Sequence, residues 1–249
     1  MSVNKGTRII IVIMVILAVI GIIIAKTYYG NINRSVDPRV KQAQVMYGRY
    51  NFYASENDFE KVLALLDSIS QVYSSVPHYR NSYEMGVLQN NRASVFLTKA
   101  LSDTIREDMK QHFFAVAEQH LLTSIDYYTG WLDLFGNLAR EDIEAIVEKE
   151  FTNAESLKNN ENLDAIIRKR VEEIITAQIE TPRRLSVSFT NLGIIRRHEN
   201  QLEEAVYYYN KALELWDENL TAKNNMNILF DKPIEKQSIF RKLFPPERE

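Results

Sequence analysis

The chain predicts an all-α protein, a single N-terminal transmembrane helix followed by an α-solenoid of helix pairs. Three observations predict it. Residues Ile9 to Ala25, IIIVIMVILAVIGIIIA, hold no charged or strongly polar side chain. Between Pro77 and Pro182 no proline interrupts a stretch in which apolar residues recur at helical spacing. The octapeptide ENDFEKVL at 56–63 returns as ENQLEEAV at 199–206, a degenerate internal repeat.

The apolar run of seventeen residues would extend roughly 25 Å as a helix, the short end of a bilayer core. Arg8 and Lys26 flank it, and Tyr28 and Tyr29 stand where an aromatic belt would meet the headgroups. A cleaved signal peptide would have a shorter core and a small-x-small site, but Ile23 stands two residues before Ala25, so an uncleaved anchor is expected. The anchor is assigned to residues 1–30 and a spacer to 31–39. Basic residues lie on both flanks, Lys5 and Arg8 before the run and Lys26, Arg34, Arg39 and Lys41 after it, so charge does not orient it. Eight leading residues are easily kept in the cytoplasm, and the expectation is a single-pass membrane protein whose soluble part is extracytoplasmic. The absence of cysteine excludes disulfide and thiolate chemistry without naming a compartment. Asn33 and Asn219 begin Asn-x-Ser/Thr matches, which carry meaning only in a eukaryotic secretory route.

The helical domain is assigned to residues 40–230. Val62, Leu65, Leu66 and Ile69 share one helical face; so do Ile143, Ile146, Val147, Phe151 and Ala154, and again Leu163, Ile166, Ile167, Val171, Ile174 and Ile175. Charged residues between these stripes, including Lys149 and the basic run Arg168 to Arg170, read as solvated faces. Residues 158–162, KNNEN, form a polar break. Thr181-Pro182 is expected to end a helix, because the residue before proline is pushed out of the helical region. Eight to ten helices with short connections follow from this spacing.

Within 183–219, Phe189, Leu192, Gly193, Ala205, Tyr209 and Ala212 fall at the spacing of an aromatic, Leu-Gly, Ala, aromatic and Ala pattern. In this the chain resembles the tetratricopeptide repeat (TPR) family, and the resemblance implies TPR-like helix pairs stacked into a superhelix with a concave groove. Small residues at Gly193, Ala205 and Ala212 would let antiparallel helices approach closely, with Phe189, Leu192 and Tyr209 filling the space around the contact. The chain departs from the family at Arg196, where a second aromatic is usual, and at Asp217, where proline is usual. Residues 40–76 match by their second helix. Residues 79–128 read as a further unit with Gly86 in its first helix and an extra stretch around LSDTIRED; residues 137–180 match poorly. Residues 220–230 read as a capping helix. The resemblance also implies that Thr190, Arg197 and Asn224 face the groove and meet a protein or peptide partner.

Motifs for catalysis are missing: no HExxH, CxxC, glycine-rich phosphate loop or GxSxG occurs. His112, Glu118 and His120 are close in sequence, but two turns of helix separate the histidines by about 12 Å, too far to share one ion. No catalytic residue, cofactor or metal is therefore expected. The segment through Lys26 holds three basic residues and no acidic one, leaving 27 of the 30 basic residues against all 33 acidic ones, the reverse of a nucleic-acid binder. The expected function is a membrane-tethered scaffold or adaptor for protein–protein interaction. A permanent subunit of a larger membrane or envelope assembly is the alternative, and an enzyme with dispersed residues the third reading. Oligomeric state is left open.

The tail, 231–249, carries Ile239, Phe240, Leu243 and Phe244 as one short apolar stripe with Lys236, Arg241 and Lys242 nearby, and Pro245-Pro246 stops it. It is expected either to complete the terminal cap or to dock as a short amphipathic helix.

Overall fold

The computed structural model describes residues 34–102 and 104–236, which form helices and turns with no strand among them. Ten α-helices follow one another among the described residues: α1 (Lys41–Tyr47), α2 (Tyr50–Ser55), α3 (Phe59–Ser75), α4 (Pro77–Arg80), α5 (Tyr83–Ala100), α6 (Glu107–Phe135), α7 (Arg140–Thr152), α8 (Leu163–His198), α9 (Leu202–Leu215) and α10 (Leu220–Leu229).

One turn closes three of these helices. Asn57, Asn200 and Asp231 take positive φ, 55°, 62° and 51°, a conformation that short polar side chains tolerate better than others. Each sits just past a helix. Asp58 N–H donates to Tyr53 O (3.0 Å), Gln201 N–H to Arg196 O (2.8 Å) and Lys232 N–H to Asn227 O (2.9 Å), so each turn satisfies the carbonyls left open at a helix end. The first two lie within the repeated octapeptides, so that repeat is one of backbone geometry as well as of letters. Asp58 then starts α3 by accepting from Lys61 N–H.

Side chains after these turns repeat as well. Val62, Leu66 and Ile69 on α3 and Ala205, Tyr209 and Ala212 on α9 stand at the same intervals, and all are fully buried. Ser124, Tyr128 and Trp131 on α6 repeat the intervals and are buried too. Two helix crossings are consequently alike. A Cβ added at Gly193 would lie 2.4 Å from Tyr209 Cε1, and one added at Gly86 would lie 2.5 Å from Tyr128 Cε1. Glycine at these places lets each helix rest on a tyrosine ring. Ser124 Oγ also donates to Gly86 O (2.9 Å), securing the α5–α6 crossing.

The helix α8, 36 residues and about 54 Å long, is the spine. Its first half joins the larger core, with Ile166, Val171 and Ile174 beside Val62, Leu66, Ile143, Val147 and Trp131. The second half enters another core, where Leu192 and Ile195 meet Ala93, Leu97, Phe114 and Leu121 of the long α5–α6 hairpin. At the spine's middle, Gln178 Nε2 donates to Phe135 O (2.6 Å) and Leu138 O (3.0 Å), covering the carboxyl end of α6.

The fold class expected from sequence is corrected here. Among the described residues no helix is long and apolar enough to cross a membrane. The long helices carry charged residues along their length; α8 holds Arg168, Lys169, Glu172, Arg183 and Arg184. The segment on which the anchor was expected, within residues 1–30, lies outside the described residues, as does the tail stripe at 239–244. The helices also do not form a regular series of TPR-like pairs. Pro182 lies inside α8, so the expected break at Thr181 does not occur and one helix serves both the α7 and the α9 packing. Proline inside a helix costs about 3 kcal/mol. Packing on both sides offsets it: Ala177 and Leu185 are buried on either side, and Gln178 is tied to α6. The coarser expectation holds: the fold is all-α and repeat-like.

Candidate interaction surface

Apart from Gly86 on α5, the sequence-derived site residues gather around the last third of α8 and on α9 and α10, but not on one exposed face. Phe189 stacks on Tyr208 (6.2 Å between centroids), while Leu192, Gly193, Ala205, Tyr209 and Ala212 are inside. Burial pushes the Tyr209 hydroxyl up to about 12. Thr190 is only 2% exposed. Its hydroxyl donates to Ser186 O (2.8 Å) and accepts from Asn219 Nδ2 (2.9 Å), and Asn219 Oδ1 in turn caps α10 at Ala222 N–H. The expected groove residue thus locks the start of α10 onto α8, because a buried N-cap asparagine requires partners for its amide. Arg197 and Asn224 are half-buried. Arg197 Nη2 reaches the ring of His198 (3.4 Å), and Asn224 pairs with the backbone of Glu235.

Arg196, the departure from the family pattern, has a clear task. Its guanidinium meets Glu118 of α6, Glu199 (2.8 Å) and Glu204 of α9 (3.0 Å), joining three helices where an aromatic would join two. The neighbouring histidines go separate ways. His120 Nδ1 meets Gln89 Oε1 (2.8 Å) and stacks on Phe96, while His112 lies against Phe113. No group of three metal-capable side chains occurs among the described residues.

The strongest electrostatic feature lies elsewhere, at Arg170. Its side chain is 2% exposed, contrary to the solvated face expected for the run Arg168 to Arg170. Nη1 and Nη2 donate to Glu84 and Nη1 also to Glu173 (3.3 Å), while Tyr79 and Tyr83 present their rings at 4.4 and 5.6 Å. Arg170 Nε donates to His78 Nε2 (2.9 Å). That bond makes Nε2 an acceptor, so in the neutral ring Nδ1 carries the hydrogen toward Glu150. Burial holds His78 below the ordinary histidine value; the Glu150 bond opposes this and the Arg170 charge adds to it. Burial would raise Glu84, but the Arg170 charge and hydrogen bonds outweigh it and the carboxyl is lowered; for Glu173 burial prevails and the carboxyl is raised.

This cluster ties α4, α5 and α7 to the first half of α8. Its charged groups face one another, and that closure suits a structural staple better than a reacting centre. Sequence reasoning missed it, although a signal existed: Arg170 falls four residues after Ile166 and four before Ile174, on the apolar stripe itself. Tyr128 was missed likewise, although Ser124, Tyr128 and Trp131 repeat the intervals of Ala205, Tyr209 and Ala212.

Among the described residues, large apolar side chains are exposed at several places, Phe52 (63%) on α2 and Leu134 (65%) on α6 among them, and five fall on α9, α10 and the residues after them. On α9 these are Leu202 (46%) and Tyr207 (56%), and at the end of α10 and beyond it Ile228 (46%), Phe230 (54%) and Ile234 (60%). No protein-family model, no curated protein and no solved structure matches the chain.

Proposed function

We propose that the chain is a protein-binding helical scaffold whose contact surface lies on α9, α10 and the residues that follow. The observation that carries this reading is the concentration there of exposed large apolar side chains, Ile228, Phe230 and Ile234 within seven residues and Leu202 and Tyr207 on the preceding helix. Covering such groups is a general source of binding energy between polypeptides. The half-buried Arg197 fork suits a carboxylate on the partner. Repeat-like helix pairs favour the same reading, since they offer long side surfaces on a rigid frame. Membrane association is proposed from the sequence alone, on the apolar residues 9–25.

The test is copurification of the full chain in mild detergent, with mass spectrometry of what remains bound. Tyr207→Glu with Phe230→Glu, both outside the segment that folds back on α10, is expected to remove the partner and leave the melting curve unchanged. Retention of the same partners by that variant would sink the proposal. A fixed stoichiometry would mark a permanent assembly subunit, and a variable one an adaptor.

A further inference from the structure

Past α10 the chain turns back on itself. Asp231 closes the helix, and residues 232–236 run alongside it without helical structure. Four hydrogen bonds hold them. Lys232 N–H donates to Asn227 O (2.9 Å), Asn227 Nδ2 to Pro233 O (3.2 Å), Asn224 Nδ2 to Glu235 O (3.0 Å), and Glu235 N–H to Asn224 Oδ1 (2.8 Å). The side-chain amide of Asn224 therefore pairs with both main-chain groups of one residue, as an adjacent strand would.

The two spacings suit each other. Asn224 and Asn227 are three residues apart on a single helix face, with about 5 to 6 Å between Cβ atoms. Pro233 and Glu235 are two residues apart, about 6.6 Å in extended chain. None of the four bonds reads a side chain of the bound segment. What is recognised is extended polypeptide that offers a carbonyl and, two residues on, a carbonyl and an N–H. Pro233 fits the first place because the ring fixes φ and only its carbonyl is used. Exposed Ile228, one turn from Asn224, adds an apolar contact for whatever lies across this face.

We propose that this face of α10 is a main-chain-binding site and that the chain's own segment 232–236 is its resident occupant, competing in cis with the extended segment of a partner. The competition rests on the scaffold reading above; the occupancy does not.

Hydrogen exchange followed by NMR on the full chain tests occupancy. The Glu235 amide is expected to exchange at least about tenfold more slowly than its intrinsic rate, as a bonded amide does. Asn224→Ala should remove that protection and leave the amides of α5 to α9 unchanged. A Glu235 amide that exchanges at its intrinsic rate in the parent, or one indifferent to Asn224→Ala, overturns the occupancy. Protection that falls on dilution would show the tail of a second copy in the site and overturn the cis assignment. Competition is tested with Glu235→Pro, which deletes the N–H that Asn224 accepts. Copurified partner should rise by at least about threefold, the effect of losing one modest hydrogen bond. Unchanged partner retention overturns the competition, and no retained partner in either protein sinks the scaffold reading and the competition together while the exchange result still decides occupancy.

Discussion

Gly193→Ala would set a methyl carbon 2.4 Å from Tyr209 Cε1, 2.6 Å from Cδ1 and 3.0 Å from Cζ. Carbon atoms rest at about 3.5 to 4.0 Å, so the shortfall exceeds an ångström and the ring must move. Tyr209 is fully buried, with Ala205 and Ala212 on its own helix also buried, so the displacement cannot be taken up by a side-chain tip in solvent. Overpacking of this severity costs about 3 kcal/mol. Alanine regains about 1 kcal/mol of helix propensity over glycine, leaving a net loss of about 2 kcal/mol. For a domain of this size that lowers Tm by about 4 to 8 °C. Gly86→Ala should behave alike, since its Cβ would lie 2.5 Å from Tyr128 Cε1. Gly130→Ala is the control of opposite sign, because a Cβ added there meets no atom of the described residues within 4 Å and the residue is exposed on α6. It should stabilise by about 0.5 to 1 kcal/mol. Thermal denaturation followed by circular dichroism measures all three. A Gly193→Ala protein that melts at or above the parent temperature would refute the close crossing. In a Tyr209→Ala background the Gly193→Ala penalty should vanish, and its persistence would show that the clash has another source.

Tyr209→Phe is expected to be neutral or to stabilise by about 1 kcal/mol, because the buried hydroxyl has no hydrogen-bond partner among the described residues; a marked fall in Tm would reveal one. Arg170→Met should cost about 3 to 5 kcal/mol by stranding Glu84 and Glu173 in the interior, and adding Glu84→Leu should recover part of it. Equal denaturation midpoints for the single and double variants would argue against the staple. His78, His120 and His198 all have lowered proton affinity, through burial first. As pH falls through about 6.5 the unfolded chain therefore takes up protons that the folded chain resists, so stability is full above that pH and declines below it. The raised Glu173 opposes this only as pH falls through its own folded value. A Tm that rises between about pH 7.5 and about pH 5.5 would contradict this balance.

The helical class was plain from residue spacing, and the reason is local: stripes such as Ile143, Val147 and Phe151 need only one helix to be recognised, and all three are buried. The repeated octapeptides at 56–63 and 199–206 were legible for the same reason, and the turns at Asn57 and Asn200 that they share came only with the structure. Long-range partnerships were harder. Gly193 and Tyr209 are 16 positions apart, but Gly86 and Tyr128 are 42 apart, because the α5–α6 hairpin is elongated and the period is lost. Two prolines show how tertiary packing decides a local rule. Val76 before Pro77 is extended (φ −108°, ψ 116°) and a helix ends there; Thr181 before Pro182 stays helical between two packed flanks. Thr190 was assigned to a groove by position within the repeat, and the cap at Asn219 encloses it instead. Arg170 was hidden in a run of three basic residues, of which it alone turns inward to Glu84.

Whether α9 and α10 carry the contact surface is tested most directly by photo-crosslinking in the cell, with a photoreactive residue placed in the full chain at Tyr207, at Phe230 or at exposed Lys158 near the other end of α8. The account predicts that the same partner polypeptide is captured from Tyr207 and from Phe230 and not from Lys158. Capture that is equal from all three positions, or confined to Lys158, would contradict it.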